Sequence, residues 1–282
     1  MRGHAFCWFS LLTVLLMAGE PPARGYGNQH DTVHFDLYRD YLIVIRGSAG
    51  QLKGLNFLLD TGASPSVIDR RVAEKLHLDQ QSASIAVVGG SVEAAQATAP
   101  TLEVGPAHRD NIHVLVEDLS FFQKALPVRI DAVVGLDLLG QSAFAIDYGA
   151  RQILFGSIPV LPNSLSLRLQ AGLPIVEAEV NHFSAHLMVD TGASSLVMFE
   201  RLAPRPMRVS LPTAGTIGEF DRKQVWLPSI RLGETEFGKE PAFLVQSRSD
   251  GVQDFDGLMS PAALGITKMA FDLGRGQLTF SR

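Results

Sequence analysis

Cysteine is almost missing from this chain of 282 residues: the single one, Cys7, stands inside the first apolar run. An intrachain disulfide is therefore excluded, and a body that has lost that run has no thiol for catalysis. Charge is scarce as well. Asp, Glu, Lys and Arg together make up 19%, the net charge is −5, and no cluster of Lys or Arg offers a footprint for nucleic acid. G-x-S-x-G, H-E-x-x-H and the P-loop pattern are all missing, which removes the commonest rival hydrolase and nucleotide-binding readings. Long apolar runs are confined to AFCWFSLLTVLLMAG (5–19), which is short for a bilayer span. With Arg2 before it and the small residues of Ala23-Arg24-Gly25 after it, residues 1–25 read as an export signal, or as an anchor if uncleaved. The remaining body is then periplasmic or secreted. Between Gly25 and a first strand near Thr32 there is room for only a few residues, so no inhibitory propeptide is expected.

What the chain does have is glycine (26), proline (15) and 46% hydrophobic residues, a composition that suits a globular protein with many turns. Its length accommodates two lobes. The chain also repeats itself. LLDTGAS (58–64) returns as MVDTGAS (188–194), 130 positions later, and AFAIDYGARQILF (143–155) aligns without a gap with KMAFDLGRGQLTF (268–280), 125 positions later. Upstream of each DTGAS stand two alternating apolar stretches separated by a turn, 42–64 and 174–194, which predict a hairpin opening each copy. The rest is mostly short β-like runs, SIAVV, TLEVG and IHVLVE in one copy, KQVWLPSIRLG and AFLVQ in the other. Helical signals are short, such as DRRVAEKL (69–76). The expectation is an all-β protein with an N-terminal lobe over 26–156, a linker over 157–164 and a C-terminal lobe over 165–282.

Asp60 and Asp190 each close an apolar run, Leu55–Leu59 and Leu187–Val189. A carboxylate buried there is costly unless hydrogen-bonded or functional. If the two copies face each other, the carboxylates meet; like charges about 3 Å apart cannot both ionise, so they share one proton. One can then take a proton from water while the other hydrogen-bonds a substrate carbonyl.

The doubled DTGAS and its surroundings resemble a bilobal, single-chain aspartic protease, nearer the compact retropepsin type than full-size pepsins, over about residues 32–282. The resemblance implies two homologous β-barrel lobes related by a pseudo-twofold axis, with the cleft between them. It implies an endopeptidase whose dyad is Asp60 and Asp190, which needs no metal or organic cofactor, binds a protein or peptide substrate in extended form and works as a monomer. It assigns Thr61 and Thr191 to a hydroxyl network tying the loops together, and Gly62 and Gly192 to the tight turns, where glycine allows a conformation other residues resist. Ala63, Ser64, Ala193 and Ser194 complete the loops. Two apolar residues and a glycine are expected beneath each loop: Val133, Val134 and Gly135 in the first copy, but Leu258, Met259 and Ser260 in the second, where Ser replaces Gly. The flap that would cover the cleft is VVGGSVEA (87–94), with Gly89 and Gly90 at its turn and Gly218 as counterpart in the second copy when Gly105 is matched to Gly233. An extended peptide under such a hairpin would pair by main-chain hydrogen bonds. Ala63 and Ala193 stand where many pepsins carry a hydroxyl that lowers the pKa of the dyad, so a less acidic working range is expected.

The other candidates carry less. His182 and His186 lie on a hairpin, where four positions span about 13 Å, too far for one metal ion. Asp147 and Asp272 read as structural turn residues, and Asp137 as the cap of a short helix. The alternative from another class is a catalytically silent peptide-binding scaffold with the same fold.

Overall fold

The computed structural model describes residues 31–87, 90–199, 222–245 and 255–282. The expected export signal, Gly89 and Gly218 lie outside the described residues. Within them the protein is all-β, with 21 strands and only three short helical turns.

In the first half, β1 (Asp31–Tyr38) leads into the expected hairpin of β2 (Leu42–Ala49) and β3 (Leu52–Leu59). Burial on β3 starts at Phe57; Leu55 is only half-buried. Then come β4 (Val67–Asp69) and the helix α1 (Arg70–Lys75), whose N-terminal amide at Arg71 is capped by Asp69 at 3.0 Å. The long hairpin β5 (Gln81–Val87) and β6 (Gly90–Val104) follows, then β7 (Ala107–Glu117), β8 (Ala132–Val134), α2 (Leu136–Leu139), β9 (Phe144–Asp147) and β10 (Gln152–Phe155). β11 begins at Asn163 and runs to Gln170, so the last two positions of the expected linker are already strand. The second half continues with β12 (Leu173–Val180), β13 (Phe183–Val189), β14 (Leu196–Phe199), β15 (Arg222–Leu227), β16 (Ile230–Leu232), β17 (Thr235–Phe237), β18 (Glu240–Val245), β19 (Gly257–Met259), β20 (Lys268–Asp272) and β21 (Gln277–Ser281).

One arrangement occurs twice. β3 runs parallel to β8 with Leu59 opposite Val134, and β13 runs parallel to β19 with Val189 opposite Met259. β4 lies antiparallel to β8 and parallel to β7; β14 lies antiparallel to β19 and parallel to β18. Each Asp of the repeated motif is thus the first residue beyond a buried strand locked on both sides.

A six-stranded sheet joins the halves in the order β1, β10, β9, β20, β21, β11. Its centre is the antiparallel pair β9 and β20, where Ala145 faces Ala270, the two residues matched by the gapless alignment. Phe144 stacks on Phe271 there, 4.8 Å between centroids, inside an apolar cluster that runs through both halves. The aligned turns behave as expected: Asp147 Oδ1 accepts the amide of Ala150 at 2.8 Å and Asp272 Oδ1 that of Arg275 at 3.0 Å. Asp147 also pairs with Lys268 at 2.8 Å, an ion pair across the two halves.

Candidate active site

Each motif leaves its strand through one fixed bond. The amide of Asp60 donates to the Val134 carbonyl and that of Asp190 to the Met259 carbonyl, both at 3.0 Å. Val133, Val134, Leu258 and Met259 are buried, on the strands that pair in parallel with β3 and β13. Beyond the strands the chain folds back on each carboxylate. The amide of Gly62 donates to Asp60 Oδ1 at 2.8 Å and that of Gly192 to Asp190 Oδ1 at 2.9 Å.

The two loops face one another. A Cβ on Gly62 would stand 2.9 Å from Asp190 Cγ, and one on Gly192 would stand 2.7 Å from Asp60 Cγ and Oδ2. Each glycine therefore lies against the carboxyl group of the other motif. Neither has a positive φ, so the expected reason for these glycines is corrected: what they provide is room for the opposite carboxylate, not a left-handed turn. Asp60 is 8% exposed and Asp190 1%, so the two carboxyl groups are buried against the opposing loops. Burial is the largest influence on Asp60 and pushes its pKa up from 3.8 to about 6, against the pull of the Gly62 amide, Asp190 and the Gly192 amide.

Behind the carboxylates the threonines cross over. Thr61 Oγ1 donates to the Val189 carbonyl at 2.7 Å and accepts from the Thr191 amide at 3.1 Å; Thr191 Oγ1 accepts from the Thr61 amide at 3.0 Å and reaches the Leu59 carbonyl at 3.5 Å. All four groups are buried, so losing one hydroxyl strands a backbone amide and a carbonyl without water. Thr61→Val is accordingly expected to destabilise the protein by roughly 2–4 kcal/mol, read as a lower denaturant midpoint at unchanged slope. A change below about 0.5 kcal/mol, the range of an ordinary surface substitution, would show that the crossover does not hold the halves together.

The remaining predicted positions divide. Ala63 and Ala193 are buried, and no hydroxyl from either position acts on Asp60. Ser64 packs against Gly172 of the turn between β11 and β12, where a Cβ would overlap its Oγ. Ser194 Oγ has no partner among the described residues. Gly135 is held so close to the Ala63 carbonyl that any Cβ would overlap it. Gly90 pairs with Val87 across the hairpin turn, and Ala94, further along β6, packs in the cluster that contains Leu58, Ala63 and Val133. The hairpin is thus rooted on the sheet face that carries Asp60. His182 and His186 face different carboxylates, Glu179 at 3.4 Å and Asp256 at 4.0 Å.

Asp137 is a correction. The N-cap of α2 is Gly135, with no side-chain bond, and Asp137 sits within the first turn. Its carboxylate instead receives the amide and hydroxyl of Ser66 at 2.7 and 2.6 Å, while Ser66 Oγ accepts the Gly135 amide at 3.0 Å. Arg109 Nη1 donates to the Asp137 carbonyl oxygen at 2.7 Å. Burial raises the pKa of Asp137, and the bonds from Ser66 oppose that shift. Sequence reasoning also missed Asp131 and Asp256. Asp131 Oδ2 accepts the amide of Asn56 at 2.9 Å and Asp256 Oδ2 that of His186 at 2.8 Å, in each case four residues before the motif aspartate. The signal was present, because the same alignment that matches Val133 to Leu258 matches these two carboxylates.

Residues 45–138 match a family model described as aspartyl protease. That match supports an aspartic protease of the pepsin/retropepsin type. It covers the first motif, the β5–β6 hairpin, β8 and the start of α2. No curated protein matches the chain.

Proposed function

We propose that the protein is an exported aspartic endopeptidase whose two homologous lobes, related by a pseudo-twofold axis, each supply one catalytic carboxylate. The observation that carries this reading is the reciprocal packing of Asp60 against Gly192 and Asp190 against Gly62, which brings two buried carboxyl groups together; in this reading they share one proton. In this reading the ionised member of the pair removes a proton from a water molecule as its oxygen attacks the peptide carbonyl. The protonated member hydrogen-bonds the carbonyl oxygen and gives up its proton as the tetrahedral diol forms. A proton then passes to the amide nitrogen, the C–N bond breaks, and the amine leaves with the dyad back in its singly protonated state. The substrate is an extended protein segment, paired by its main chain under the β5–β6 hairpin. The apolar run at 5–19 directs export, and the protein acts as a monomer without a cofactor.

The test is cleavage of an unfolded protein, followed by mass spectrometry of the products, with inhibition by a peptide carrying a non-cleavable hydroxyl-bearing centre that mimics the tetrahedral state. Chelators and serine-directed acylating agents are expected to leave the rate unchanged; loss of activity in EDTA and its return with zinc would refute the reading. The pH profile adds a second constraint. Burial holds the proton on the pair towards about pH 6, and neither Ala63 nor Ala193 offers a hydroxyl to oppose it. The alkaline limb of kcat/KM is therefore expected near pH 6, and the profile belongs to the pair rather than to either residue. In Ala63→Ser with Ala193→Ser both limbs move towards acid; an unmoved profile would show that these positions do not influence the dyad.

A further inference from the structure

The two loops carry the same five residues, yet different chemistry holds them. In the first half, Ser66 and Asp137 bond each other and Ser66 Oγ takes the Gly135 amide, which fixes Gly135 directly against the Ala63 carbonyl. The second half cannot repeat this. At the offsets of its motif and of its terminal strands, Ser66 corresponds to Leu196 and Asp137 to Ala262, both without a polar side chain. The position of Gly135 is taken by Ser260, which is fully buried. Ser260 Oγ donates to the Ala193 carbonyl at 2.7 Å and accepts the Ala263 amide at 3.2 Å. The spacing agrees with this exchange: where Gly135 leaves no room for a Cβ beside the Ala63 carbonyl, Ser260 fits both a Cβ and an Oγ beside the Ala193 carbonyl. The second loop also closes more loosely, with the Ala193 amide 3.4 Å from the Asp190 carbonyl against 3.1 Å for Ala63 and Asp60.

We propose that Ser260 is a positioning residue for Asp190: its hydroxyl holds the second loop at the height where Asp190 meets Asp60, in place of the Ser66–Asp137 pair that holds the first. This rests on the peptidase reading for its kinetic consequence, but not for the clamp itself. The serine is then not a tolerated departure from glycine. Replacing it with the glycine that serves the first half removes the only side chain among the described residues that bonds the Ala193 carbonyl, and lets the looser loop shift.

The experiment compares Ser260→Gly and Ser260→Ala with wild type by two readouts. The first is kcat and KM, with active sites counted by titration against the hydroxyl-bearing peptide, so that loss of folded protein does not count as loss of rate. The second is hydrogen–deuterium exchange over 190–199 and over 60–69. Both variants are expected to lose on the order of tenfold in kcat per titrated site with KM within twofold, since a small misplacement of a reacting group falls on the transition state. Exchange is expected to quicken about tenfold over 190–199, corresponding to one buried hydrogen bond of about 1.4 kcal/mol, and to stay unchanged over 60–69. Equal kcat in Ser260→Gly and wild type would overturn the proposal, as would exchange that rises equally in both segments. A wild type without any peptidase activity would refute the proposed function instead, and the exchange result would still decide the clamp.

Discussion

Asp60→Asn and Asp190→Asn are each expected to lower kcat/KM by at least about 10³-fold, because a dyad that shares one proton loses both its base and its acid when either member can no longer exchange it. The loss should be equal in kind for the two, since the Gly62 and Gly192 amides serve the two carboxyl groups in the same way, at 2.8 and 2.9 Å. Retention of near wild-type rates by one variant and not the other would sink the two-carboxylate mechanism. Folding should respond in the opposite direction. The folded state keeps the Asp60 proton up to about pH 6, whereas an unfolded chain releases it near 3.8. Between those values the folded state binds more protons, so this group takes stability away as pH rises through the window, and the full cost is present above it. Asn carries no charge and escapes that cost. Asp60→Asn is therefore expected to melt higher than wild type at pH 7.5 and close to it near pH 3. A variant that melts lower at pH 7.5 would mean that the carboxylate is better solvated than its burial implies.

Much of this site could be read from the chain before any coordinates. Asp60, Asp190, Thr61 and Thr191 were legible because the motif occurs twice, and a repeat places residues in three dimensions that a single motif cannot. The apolar positions Val133, Val134, Leu258 and Met259 came from the family resemblance, whereas the parallel pairing of their strands with β3 and β13 was not read from the sequence. What did not follow were the features that depend on how closely two segments approach. Gly62 and Gly192 look like turn glycines in sequence, yet their backbones are ordinary and the opposite carboxyl groups decide the residue. Asp137 looks like a helix cap because it stands at the start of a short helix; its real partner, Ser66, is 71 positions away. Ser66 itself gave no signal, since the second copy has Leu196 there and the repeat rewards only what is shared. The differences between the copies carry information that the alignment discards.

Gly192→Ala is expected to cost about 10²-fold or more in kcat/KM while the protein still folds, with a stability loss of roughly 1–3 kcal/mol from overpacking. The backbone at 192 has no positive φ and tolerates alanine, so strain in the turn is not the cause. The added methyl would stand 2.7 Å from Asp60 Cγ and Oδ2 and 3.0 Å from Oδ1. Asp60 cannot withdraw without breaking the 2.8 Å bond from the Gly62 amide, and the second motif cannot withdraw without breaking the threonine crossover. The clash is therefore expected to be absorbed by separating the two carboxyl groups, which would remove the shared proton on which the proposed mechanism depends. Gly54→Ala is the control. That glycine has φ +69 and open space around it, so alanine there should cost about 1–2 kcal/mol of stability through its backbone alone and leave kcat/KM untouched. The two variants can then be matched in stability and compared in rate. If Gly192→Ala turned over peptide as fast as Gly54→Ala, the two carboxyl groups would not be packed against the opposing glycines during catalysis.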